Sequence, residues 1–177
     1  KSGTLTVLRN GDWLVMDLPA QPPVPCNVPD EIVKAFDKVP IECLRSEDYI
    51  AVFETESDIL SIKPDIDYLK NLDLRGVIIT AKSREYDFVS RFFAPKYGID
   101  EDPVTGSAHT QLIPYWARKL GKITMQAKQV SSRGGEILCE LYNDRVLISG
   151  KAVKFLEGKI QLNILPGPDN GIGVIET

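Results

Sequence analysis

The chain has 177 residues, 43% of them hydrophobic, which is enough to bury a core in one domain or in one domain with an appendage. Its 21 basic and 25 acidic residues leave a net charge of -4, with no basic block and no Lys/Arg stripe interleaved with aromatics, so no nucleic-acid partner is expected. There is no run of about 18 apolar residues, no cationic amphipathic helix and no leader-like N-terminal segment, so the expectation is no membrane association and a cytoplasmic location.

Thr4 to Arg9 and Trp13 to Leu18 are alternating runs on either side of Asn10-Gly11-Asp12, a spacing that predicts a hairpin with a tight turn. Pro19 to Pro29 holds five prolines, which remove ladder donors and hold the backbone extended, and this segment is expected to link two structural units. Pro29, followed by Ile32, Val33, Ala35 and Phe36, predicts a short amphipathic helix to about Lys38. Glu42 to Arg45 and Tyr49 to Glu54 read as a second hairpin, Lys63-Pro64-Asp65 opens a short helix to about Leu72, and Gly76 to Ala81 and Asp87 to Ala94 read as strands. Pro95 to Thr105 lacks periodicity and is expected to be loop.

Gly106 to Leu120 reads GSAHTQLIPYWARKL, with apolar residues spread around much of a helix. Such a helix must be wrapped by other structure, and Pro114 inside it needs that support. Ile123 to Val130, Gly135 to Tyr142, Arg145 to Ser149, Ala152 to Leu156 and Lys159 to Leu162 then predict a meander, with turns at Ser131 to Gly134 and at Asn143-Asp144. The expected fold class is α+β: a curved, mostly antiparallel β-barrel wrapped around one central α-helix. Asn163 to Thr177 shows no period and reads as a tail. Cys26, Cys43 and Cys139 are far apart in the chain and odd in number, so neither a disulfide framework nor a zinc site is expected, and they read as buried thiols.

Two segments carry candidate chemistry. In the first, Asp102-Pro103-Val104-Thr105-Gly106-Ser107 brings an acid, a glycine and hydroxyls to the start of the central helix. Unpaired amides and the positive end of the helix dipole suit a carboxylate or a developing oxyanion there. Gly106 lets a ligand approach the backbone, and Asp102 can exchange a proton. The plainer alternative is that Ser107 or Thr105 caps the helix. His109 is the chain's one histidine, and it reads either as a functional group or as a packing residue of the first turn. In the second segment, Gln129 to Gly135 ends a strand in a polar turn, where Arg133 either pairs with an anion or sits exposed on a glycine-rich turn. No glycine-rich phosphate fingerprint follows a strand and no acidic or histidine cluster has ligand spacing, so no cofactor and no metal are expected.

DFVSRFFAPKYGIDEDPVTGSAHTQLIPYWARKLGK, then QVSSRGGEILCEL and VLISGKAV, resemble the PhzF-like isomerases, named for a phenazine-biosynthesis enzyme. The likeness runs from Ser2 to about Leu162. It implies the diaminopimelate-epimerase-type fold, with two lobes, each a barrel around a helix, and a substrate cleft between the two helix starts. It further implies that Asp102, Gly106 and Ser107 bind and orient a small carboxylate while a proton is removed from one carbon and returned to another; Arg133 is a further candidate from the residues themselves to bind that carboxylate. Family members begin with a lobe holding an Asn-Pro-containing glycine segment, a catalytic glutamate and a Gly-His pair, and none of these occurs here. On that reading residues 1–24 are a remnant hairpin and linker of the N-terminal lobe, 25–162 form the C-terminal barrel lobe and 163–177 are tail. The uncovered hairpin then predicts a homo-oligomer, a dimer, and turnover by this chain alone is not expected. A small-carboxylate-binding module and a purely structural oligomerisation domain are the competing readings.

Overall fold

The computed structural model describes residues 6–159. Eleven strands form one sheet in the order β1-β2-β11-β10-β9-β7-β6-β5-β4-β3, with β8 pairing β7 off this path. The N-terminal strands β1 (Thr6–Asn10) and β2 (Trp13–Pro19) form the expected hairpin, closed by Gly11 at φ 59°. β2 also pairs with β11 (Arg145–Lys151), from Arg145↔Pro19 to Lys151↔Trp13, and the Arg145 guanidinium bridges Asp17 at 2.6 Å. The hairpin is therefore continuous with the main sheet.

The sheet is not closed into a barrel, which corrects the sequence expectation. Its two ends are β1 and β3 (Val24–Pro25), and they do not pair with each other. β3 is two residues long and ends on a proline with no N–H to donate, so a closing ladder has little to bond to there. Every residue of β1 is exposed.

The middle of the sheet is covered on both faces. β4 (Glu42–Arg45), β5 (Tyr49–Val52), β6 (Val77–Lys82) and β7 (Phe88–Ala94) send alternate residues to opposite sides. Leu44, Ile50, Val52 and Ile78 join one core with the long helix, while Cys43, Tyr49, Ala51, Val77 and Ile79 join a second core. That second core is roofed by α1 (Asp30–Phe36), α2 (Glu56–Ser61) and α3 (Ile66–Leu69). β5 is buried throughout and runs parallel to β6, as a near-continuous apolar run predicts.

The long helix α4 (Gly106–Leu120) has nine buried residues, Tyr115 and Trp116 among them. Trp116 stacks on Phe88 at 5.5 Å and donates its indole N–H to Thr80 Oγ1 at 3.0 Å. At roughly 1.5–3 kcal/mol for each large apolar side chain buried, Leu112, Ile113, Tyr115 and Trp116 outweigh the hydrogen bond removed by Pro114. Gly121 at φ 66° ends the helix.

Four departures from the sequence expectation have local causes. Residues 99–102 are not loop but β8 (Ile99–Asp102), a polar strand that pairs with β7 through an irregular register and so shows no alternation. α2 is carried by a capping box, Thr55 with Asp58, and has only Ile59 buried, so no helical period marks it. α3 is shorter than expected and ends at Leu69. Ala152 to Leu156 forms no strand and is exposed, because the partner of Lys151 is Trp13 and the next partner residues lie in the hairpin turn. The last predicted strand, beyond Lys159, and the tail 163–177 lie outside the described residues. β9 (Thr124–Gln129) and β10 (Gly135–Tyr142) fall where the pattern placed them.

All three cysteines are free thiols. Cys26 and Cys43, distant in sequence, meet with their sulfurs 3.6 Å apart. Burial pushes the Cys43 and Cys139 thiols up to about 12. Iodoacetamide at pH 8 should therefore leave Cys43 and Cys139 unmodified in the folded chain and alkylate both in urea, read by mass spectrometry. Alkylation of Cys139 at equal rates in both states would contradict its burial. Among the described residues no helix is long and apolar enough to cross a membrane.

Candidate functional site

The start of α4 is assembled by two segments distant in sequence. β8 delivers Asp102 beside β7, where Phe92 pairs with Asp102, and Pro103-Val104 turns the chain into the helix. Thr105 is the extended N-cap residue at φ -115° and ψ 103°, but its side chain does not cap the helix. Its hydroxyl instead donates to Asp102 Oδ2. Ser107 is not a cap either: its hydroxyl oxygen accepts from Arg75 at 3.1 Å.

Gln129, the last residue of β9, is fully buried and locks this arrangement. Its Oε1 accepts the Thr105 N–H at 2.8 Å, and its Nε2 donates to the Asp102 carbonyl at 2.7 Å and to Thr105 Oγ1 at 3.1 Å. Ser131 donates to the Pro103 carbonyl at 2.7 Å and accepts from the Gly134 N–H at 3.0 Å. Gly135 is required by contact, since a Cβ there would stand 2.6 Å from Val104 Cγ2. The QVSSRGG segment thus fixes the DPVTGS loop through Gln129, Ser131 and Gly135.

Arg133 does not take part in that bracing. It is exposed in the turn and, among the described residues, has no hydrogen bond or ion pair with the Asp102 loop. It lines a cleft with Trp13, Val104, Glu136 and Lys151.

His109 is turned into the core. It is fully buried, its Nδ1 lies 2.8 Å from the Thr105 carbonyl, and its ring centroid is 6.1 Å from that of Phe88. A carbonyl only accepts, so Nδ1 carries the proton and Nε2 is bare. Nε2 has no partner. Burial lowers its pKa from 6.5 to about 4, so the ring is neutral at physiological pH. It braces the first helical turn from inside.

At the tip itself Asp102, Gly106 and Ser107 are partly exposed. The Met16 methyl of β2 stands 3.3 Å from where a Gly106 Cβ would sit, so a side chain at 106 would crowd that side of the helix start. Among the described residues nothing accepts from the amides of Gly106 and Ser107. The first turn holds no acidic residue to compete with an incoming anion. Two amides, one hydroxyl and one carboxylate therefore meet at a partly open helix start, an arrangement suited to holding a carboxylate beside an acid-base group.

The pattern did not reveal the residues behind Ser107. Asp48, fully buried at the start of β5, receives Arg75 at 2.9 Å and 2.5 Å and Gln111 Nε2 at 2.7 Å. The three lie far apart in sequence. They meet because β5 and β6 are parallel and Gln111 stands one turn beyond Ser107.

A family model described as phenazine biosynthesis-like protein matches residues 28–158. An uncharacterized isomerase of Pseudomonas aeruginosa is 47% identical over 162 residues, 92% of this chain and 62% of that protein. The crystal structure of a PhzF-family phenazine biosynthesis protein from Enterococcus faecalis matches with a TM-score of 0.84 at 41% identity, over 89% of this chain and 61% of that one. A phenazine biosynthesis PhzC/PhzF protein from Clostridium difficile matches with a TM-score of 0.81 at 42% identity, with the same coverage. The chain spans less than two thirds of the length of these relatives.

Proposed function

The chain belongs to the phenazine biosynthesis-like (PhzC-PhzF) family, and from that membership we propose that it is one half of an isomerase acting on a small carboxylic acid by proton transfer. The substrate carboxylate sits on the Gly106 and Ser107 amides, stabilised by the helix dipole and by the Ser107 hydroxyl. Asp102 exchanges the proton. Its Oδ2 accepts from the Thr105 hydroxyl and the residue is partly exposed. The observation that carries this reading is the pairing of unengaged amides with a half-buried carboxylate at one helix start.

Moving a proton from one carbon to another needs a second group on the far side of the substrate. Asp48 and Glu47, the other carboxylates behind the helix start, are both engaged by Arg75. We assign the second group to polypeptide outside the described residues, and propose that this chain alone binds its acid without turning it over.

The test is solvent exchange. The chain is mixed in D2O with the separately produced N-terminal segment of the Pseudomonas aeruginosa relative, and a panel of small carboxylic acids is followed by mass spectrometry. Deuterium should enter one of them, and Asp102→Asn should slow that entry by a factor on the order of 10²–10⁴, the usual contribution of one acid-base group. Exchange that persists undiminished in Asp102→Asn, or no exchange with any acid in any pairing, would sink the proposal.

A further inference from the structure

We infer that Arg75 is a positioning residue for the carboxylate site: it holds the Ser107 hydroxyl oxygen as an acceptor and so leaves the Ser107 O–H free to donate to the bound anion. This rests on the reading that the start of α4 binds a carboxylate.

The parallel pairing of Tyr49 with Val77, tied by the Tyr49 N–H to the Gly76 carbonyl at 3.0 Å, sets Asp48 and Arg75 side by side at the same end of two strands. Asp48 has no exposed surface and takes the guanidinium in a fork, Nε to Oδ1 at 2.9 Å and Nη2 to Oδ2 at 2.5 Å. Gln111 holds the carboxylate from the helix side, donating from Nε2 to Oδ2 at 2.7 Å and accepting the Asp48 N–H at 3.1 Å. Ser107 and Gln111 are four residues apart and share a helix face. The helix that forms the site is thereby pinned to the pair that orients its hydroxyl.

The guanidinium has little left to give a ligand. Nε and one Nη2 hydrogen go to Asp48, the other Nη2 hydrogen goes to Ser107 Oγ at 3.1 Å, and Nη1 faces Glu47 at 3.2 Å. The Phe92 ring lies 5.3 Å from Cζ. Two carboxylates offset its charge, so its effect on an anion runs through Ser107. A helical serine otherwise turns its hydroxyl back to a carbonyl of the preceding turn. Arginine has no acceptor, so Ser107 Oγ receives from it, and among the described residues the serine O–H makes no hydrogen bond of its own.

Benzoate is the probe, titrated into the full chain while the amide resonances of Gly106 and Ser107 are followed by NMR. Arg75→Lys keeps the charge beside Asp48 but has a single nitrogen, which cannot hold the carboxylate fork and also reach Ser107. It should weaken benzoate about ten- to a hundredfold, the size of one hydrogen bond to a charged group. Ser107→Ala should do the same, and Arg75→Lys should add nothing in the Ser107→Ala background. A merely structural role predicts the opposite, a further loss in the double variant. If Arg75→Lys does not fold, the neutral pair Asp48→Asn with Arg75→Gln takes its place in the same cycle. Wild-type affinity in the Arg75 variant, or additive losses in the double variant, would overturn the inference and leave the carboxylate site standing. Benzoate that leaves the Gly106 and Ser107 amides of the wild-type chain unmoved would overturn both.

Discussion

Replacing Asp48 with alanine is expected to destabilise the chain by about 3–5 kcal/mol, the cost of breaking a buried ion pair from one side. Asp48 is fully buried and is held by Arg75 on one side and Gln111 on the other. Alanine removes the acceptor for three side-chain donor contacts at once. The Arg75 side chain, 27% exposed, keeps only Ser107 Oγ and the more open contact with Glu47, and Gln111 Nε2 is left buried without a partner. Asparagine retains an acceptor and the shape, so its loss should be about half as large. Urea denaturation, with the midpoint followed by circular dichroism, measures both. A cost below about 1 kcal/mol for the alanine variant would mean that the pair behaves as a surface contact and that Asp48 is hydrated in solution.

A second large effect is expected on acidification, and it has one source. In the folded chain burial holds His109 at about 4, against an ordinary value of 6.5. Between those values the unfolded chain binds a proton that the folded chain refuses, so stability falls as pH drops through this window. The loss approaches about 3 kcal/mol across it. Asp58 and Asp87 work in a lower range. Lys38 and the Thr55 cap hold the Asp58 carboxyl below its usual value, and Lys122 and the Gln126 N–H hold Asp87 below its own against burial. Their stability is present above about 3.8 and is lost only as pH falls below it. The interval from pH 7 to 4.5 therefore reports on the histidine. His109→Leu should lose about 2–3 kcal/mol less than the wild-type chain over that interval, whatever its absolute stability. Equal losses in the two proteins would show that His109 is protonated in the fold or that another group controls the acid limb.

Family membership and the central helix were legible in sequence because both are local. GSAHTQLIPYWARKL carries its period, its N-terminal glycine and its apolar surplus within fifteen residues, and the DPVTGS and QVSSRGG segments stand out as strings. The hairpin at Asn10-Gly11 was equally plain, because turn chemistry is set by the residues in the turn. What the second motif is for was not legible. Arg133 was the residue of that segment with evident chemistry, yet Gln129 and Ser131 make the contacts to the Asp102 loop, and an uncharged side chain in a strand carries no mark of its partner. His109 shows the same limit from the other side, since its position one turn into the helix says nothing about which way the ring faces.

The amino-acid order by itself determined the family, most of the strands and the placement of an acid, a glycine and a serine at one helix start, because each depends on neighbours within a turn or two. Only the tertiary structure decided that the sheet stays open, that Thr105 binds Asp102 instead of capping, and that Asp48, Arg75 and Gln111 stand behind Ser107. Those outcomes depend on strand order and on the parallel alignment of β5 with β6, which bring together groups separated by dozens of residues. Such pairing is selected by the free energy of the whole core, to which no single segment of the chain holds the key.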